Sequence, residues 1–135
     1  MKEYDSDDEE EMITYKVILV GESDVGKTCI MHRFTKGIFK ENSSPSLTAS
    51  YAEKTIKLDT YKGKEIQFGI WDTAGQEKFR SLSKNFFQNA TAAILVYDIT
   101  KESSFEEIKK FWYNNVIENC PRELNKSLFI NLLLL

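Results

Sequence analysis

The hydrophobic positions of this chain change period along its length, and each period predicts an element. Tyr15–Val20 is almost wholly apolar and ends at Gly21, the pattern of a short strand buried on both faces. A Gly-containing turn and a helical stretch, Gly26–Lys36, follow. Ser43-Ser44-Pro45-Ser46 marks a loop. Tyr51–Leu58 is mixed, with Ile56 and Leu58 sharing a face, and Glu65–Trp71 is a second strand-like run. The Asp59–Lys64 connection predicts that these two pair as an antiparallel hairpin. Thr91–Tyr97 predicts another buried strand. Ser103 and Glu106 fit a capping box, and Phe105, Ile108, Trp112 and Val116 recur at helical spacing behind it. Leu128–Leu135 predicts a last strand. The order strand–helix–strand–strand–helix–strand–helix–strand predicts an α/β fold with a mostly parallel sheet and helices on both faces.

Composition narrows the class. The 135 residues, 41% apolar and 29% charged, predict one soluble domain or a large part of one. The net charge of −3 hides a split. Residues 1–11 carry seven acids and one Lys, which predicts a disordered acidic tail, with order beginning at Met12. The remainder, with 17 basic and 14 acidic residues, is +3, too weak a charge to predict nucleic-acid binding. Two cysteines, Cys29 and Cys120, make no disulfide framework, and no signal peptide precedes them, so reduced thiols in the cytoplasm are expected. No apolar run, Leu132–Leu135 included, approaches the ~18 residues of a spanning helix. His32 has no Cys or second His at ligand spacing, so a structural or solvent-facing role is expected of it.

The chemistry begins at Gly21-Glu22-Ser23-Asp24-Val25-Gly26-Lys27-Thr28, which matches G-x-x-x-x-G-K-[ST] between a predicted strand and a predicted helix. Gly21 lets the backbone leave the strand sharply, and Gly26 admits phosphate close to the main chain. Amides from Ser23 to Cys29, through Asp24, Val25 and Gly26, can then face the α- and β-phosphates at the positive end of the helix. Lys27 supplies a point charge to the β- and γ-phosphates, and the Thr28 hydroxyl can coordinate Mg²⁺.

Downstream, Asp72-Thr73-Ala74-Gly75-Gln76-Glu77 follows Trp71, and Lys78–Leu82 (KFRSL), Phe86–Ala90 (FFQNA) and Leu95–Thr100 (LVYDIT) follow in turn. In these motifs, over about residues 13–120, the chain resembles the Ras-superfamily small GTPases, and WDTAGQE is typical of their Rab branch. The resemblance implies a phosphate-loop GTPase fold over 12–135, a GTP/GDP switch hydrolysing GTP with Mg²⁺, and a role in vesicle-mediated transport. It implies that Asp72 holds Mg²⁺ through water, that the Gly75 amide senses the γ-phosphate, and that Gln76 orients the attacking water. Phe39 matches the aromatic that packs against guanine. Ser46 matches the switch hydroxyl that reaches Mg²⁺ and the γ-phosphate, with Thr48 as the rival. Tyr51, Trp71 and Phe86 match an aromatic surface through which effectors, exchange factors and GTPase-activating proteins bind, the alternative for each being a place in the core. A monomer is expected.

The chain also departs from the family. Asp24 stands where Rabs usually carry Gly, Ala or Ser, and a carboxylate there is expected to weaken nucleotide binding or speed exchange. The guanine-selecting N-K-x-D motif is missing: Asn125-Lys126 precedes the last predicted strand and no Asp follows. The family's final strand, last two helices and C-terminal prenylated Cys pair are missing too, so no prenyl anchor and an exposed apolar edge at Leu132–Leu135 are expected. Two readings stay open: a GTPase switch, or a truncated Rab-like fragment without guanine selectivity or effective hydrolysis that acts at most as a binding module. An ATPase would need adenine selectivity that no residue here supplies.

Overall fold

The computed structural model describes residues 12–39, 50–59, 63–73 and 84–120. The acidic tail expected over 1–11, the loop at 43–46 and the strand expected over Leu128–Leu135 lie outside the described residues.

The elements run β1 (Ile13–Val20), α1 (Lys27–Lys36), β2 (Ser50–Leu58), β3 (Lys64–Asp72), α2 (Lys84–Phe87) and β4 (Ala92–Leu95). A continuous helical run closes the described chain: α3 (Glu102–Glu107), a π-helical turn (Ile108–Trp112) and α4 (Tyr113–Asn119). The strands form one sheet in the order β2-β3-β1-β4. β1 lies parallel to both β3 and β4, and only β2 runs antiparallel, against β3. This is the predicted mostly parallel sheet with one antiparallel hairpin.

Alternation along β1 divides the core. Val17 and Leu19 face α1 and pack with Met31 and Ile70. Ile18 and Val20 face the other way and pack with Phe86, Phe87, Ile108, Trp112 and Val116. With helices on both faces, Val17–Val20 are all buried, which is why the run reads as continuously apolar. β2 instead alternates half-buried and exposed positions along its whole length, because only its α1-facing side is covered. β4 is shorter than predicted. Backbone bonds still flank it, from Thr91 N–H to the Lys16 carbonyl at 2.8 Å and from Val96 N–H to the Val20 carbonyl at 2.8 Å.

The expected capping box does not form. The helix begins at Glu102 with Lys101 at the cap position and no side-chain cap bond. Ser104, not Ser103, is the buried serine: its hydroxyl accepts from the Asp98 N–H at 3.0 Å and lies 2.7 Å from the Lys101 carbonyl. Phe105 is a second correction. Its ring is exposed beside Tyr97, at 4.9 Å between centroids, and Ser104 takes its place on the row completed by Ile108, Trp112 and Val116. Steps of four residues drift about 40° each around an ideal α-helix. The wider turn, in which the Tyr113 N–H bonds to the Ile108 carbonyl five residues back, takes up that drift and keeps the row against the sheet.

Candidate functional site

β1 has β3 on one side and β4 on the other, so a crevice opens beyond its C-terminal end, where open α/β sheets bind ligands. The segment that fills this position is Gly21–Thr28. Gly21 has φ +150°, and a Cβ there would stand 2.1 Å from the Val96 carbonyl oxygen. Only glycine lets the chain pass so close to the end of β4. Val25 is buried beneath the loop, and Gly26, at φ +96°, caps α1 without a side-chain bond. The first turn of α1 holds no acid, so the positive end of that helix keeps its charge.

Lys27 is buried, and its ammonium donates to the Glu22 carbonyl at 2.6 Å and the Gly21 carbonyl at 3.2 Å. The charge is therefore drawn into the curl of the loop. Ser23 is half-buried and Asp24 exposed, the latter at φ +62° in the left-handed region. Cys29 is a half-buried cysteine on α1.

Asp72 ends β3 fully buried, and the Thr28 hydroxyl donates to its carboxylate. The register pairs Asp72 with Leu19 of β1, which brings the carboxylate to the helix that follows the loop. A hydroxyl and a carboxylate meeting beside this loop are hard oxygen donors of the kind Mg²⁺ accepts. Among the described residues no group of three or more His, Cys, Asp or Glu could hold a metal, and Mg²⁺ with a nucleotide requires none. Next to Asp72, the Thr73 hydroxyl is buried with no hydrogen-bond partner among the described residues.

Phe39 is 61% exposed and so is not a core residue. Ser46, Thr48, Gly75 and Gln76 lie outside the described residues. Of the three aromatics expected to share a surface, the structure brings together two. Tyr51 and Trp71 face each other across β2 and β3, with ring centroids 4.8 Å apart, and both are exposed. The Tyr51 hydroxyl donates to Glu53, which holds its pKa above the ordinary tyrosine value. Trp71 also receives the Lys16 ammonium 4.8 Å above its ring. Phe86 is a correction: it is buried edge-on against Phe87 at 5.4 Å, because α2 packs both rings into the core.

One pairing is not legible in the sequence. Glu22 accepts a 3.0 Å hydrogen bond from the indole nitrogen of Trp112, ninety positions away. A buried Trp needs a partner for its N–H, but nothing local to Trp112 names which one.

A family model described as the Ras family matches residues 16–132. Among curated proteins, Ras-related protein Rab-19 of Xenopus laevis is 39% identical over 99 residues, covering 73% of this chain and 45% of that protein. Ras-related protein Rab-8A of Bos taurus is 38% identical over 117 residues, covering 87% of this chain and 55% of that protein. The chain spans about half the length of these relatives. Among the described residues no helix is long and apolar enough to cross a membrane.

Proposed function

This chain belongs to the Ras family, in its Rab branch, and from that premise we propose that its phosphate loop binds a guanine nucleotide with Mg²⁺ as a GTP/GDP switch. The observation that carries this reading is the loop itself. Gly21 is pressed against Val96, Lys27 is drawn inside, and Thr28 meets Asp72 at the mouth. Thr28 and Asp72 would hold Mg²⁺, which when bound neutralises charge on the β- and γ-phosphates. The amides of Ser23–Cys29 and the Lys27 ammonium bind the polyphosphate, and Phe39 packs against the base. Ser46, or Thr48 in its stead, closes the first switch over the γ-phosphate. The Gly75 amide senses that group, and Gln76 orients water for its hydrolysis. By kinship the switch serves vesicle-mediated transport, and Tyr51 and Trp71 form the face that effectors and regulators contact.

One observation favours a second reading. Residues 1–135 carry no N-K-x-D, and where no such carboxylate pairs with the hydrogens of guanine, rejection of adenine loses its basis. On this reading the chain binds Mg²⁺-nucleotides weakly and without base preference. Titration with fluorescent GDP, GTP and ATP in Mg²⁺ separates the two. Guanine-only binding supports the switch, equal weak binding supports the unselective module, and no binding by a folded monomer refutes both.

A further inference from the structure

The second residue of the phosphate loop has two jobs in this structure. Through its main chain, Glu22 supplies the carbonyl that receives the Lys27 ammonium at 2.6 Å. Through its side chain, it receives the Trp112 indole N–H at 3.0 Å. Trp112 is fully buried and belongs to the π-helical turn, the one place where the helical run departs from α geometry among the described residues. That wider turn keeps Trp112 in line with Ile108 and Val116 against the sheet, in reach of the loop at the end of β1. Glu22 is thus the joint between a rigid, core-packed ring and the loop that carries the phosphate-binding amine.

We propose that Trp112 is a positioning residue for phosphate binding: through Glu22 it holds the loop in the shape that presents Lys27. The proposal rests on the phosphate-binding reading above and deepens it. A loop tethered by its own second residue gives up less freedom when phosphate arrives, so the bond acts on affinity without touching the ligand. Coupling of this kind is reciprocal, so an occupied loop also steadies the π turn.

The test compares Trp112→Phe, Glu22→Ala, Glu22→Gln and the double variant Trp112→Phe/Glu22→Ala. Release of fluorescent GDP in Mg²⁺ is measured for each, with far-ultraviolet circular dichroism as a check on folding. Each of the first two is expected to speed release about tenfold, the scale of one lost hydrogen bond to a charged group. The double variant is expected to be no faster than either single change, because both remove the same bond. Glu22→Gln keeps an acceptor oxygen and is expected to release near the wild-type rate. Glu22→Ala leaves the core untouched and so covers the case in which Trp112→Phe does not fold. Wild-type release from Glu22→Ala, or effects that multiply in the double variant, overturns the proposal. A second readout needs no nucleotide: the Trp112 indole proton resonance in the ligand-free chain is expected to move in Glu22→Ala. An unmoved resonance overturns the tether, whereas a wild-type chain that binds no nucleotide while the resonance moves defeats the functional reading alone.

Discussion

The ring of Tyr51 lies across Gly69 of the neighbouring strand, so closely that a Cβ on Gly69 would fall 2.9 Å from the tyrosine hydroxyl oxygen. The open side of β2 and β3 is therefore shaped by a missing side chain. Gly69→Ala is expected to displace the far end of Tyr51 from Glu53 and to change its packing on Trp71. Stability should hold within about 1 kcal/mol, since Ala favours a strand interior over Gly by a similar amount. Near-ultraviolet circular dichroism and Trp71 emission are the measurements, and spectra identical to the wild type's would show that the ring has room to spare.

Asp24 combines a left-handed backbone with a carboxylate in the loop proposed to bind phosphate. Asp24→Gly is expected to slow nucleotide release and to raise the unfolding midpoint by relieving roughly 1 kcal/mol of backbone strain. Asp24→Asn tolerates the same backbone but is neutral, so it should slow release with little change in stability. Because Asp24 is exposed, the charge effect should shrink as salt rises. Equal release rates for all three proteins at low salt would dispose of the electrostatic account.

Ser103 and Ser104 provide a paired test of where the helix is anchored. Ser104→Ala strands the half-buried Asp98 N–H and should cost about 1–3 kcal/mol. Ser103 is exposed and makes no cap bond, so Ser103→Ala should stay within about 0.5 kcal/mol. Denaturant unfolding of both variants measures the difference, and the reverse ranking would restore the capping box.

Burial pushes the Cys120 thiol up to about 11, against the partly offsetting ammonium of Lys16. The reactive thiolate is then about a hundredfold scarcer than in an ordinary cysteine at neutral pH. Alkylation of Cys120 by iodoacetamide, followed by mass spectrometry of the native chain, should be correspondingly slow. The rate should climb through the alkaline range until pH nears that value. Labelling at the rate of a free thiol at pH 7 would show the site to be open.

The fold was legible where a pattern is local. The unbroken apolar run before Gly21 reports burial on both faces, and the hairpin with its antiparallel pairing appeared as two runs around a short polar connection. The glycine-bounded loop was legible for the same reason, since its pattern is confined to eight consecutive residues. Phe86 was not, because its motif says that an aromatic stands there without saying which way α2 turns it. Phe105 leaves the row because the turn that follows it is wider than the 3.6-residue period.

The order of residues alone determined that a strand, a glycine-bounded loop and a helix would follow one another in a tight curl, since neighbours in sequence are compelled to be neighbours in space. It also determined that Asp72 ends a strand. Only the tertiary structure decided that this carboxylate meets Thr28, that Trp112 reaches Glu22, and that Tyr51 rests on Gly69. Those meetings depend on strand order and helix phase, which are set by the packing of the whole sheet and leave no trace in any short window of the chain.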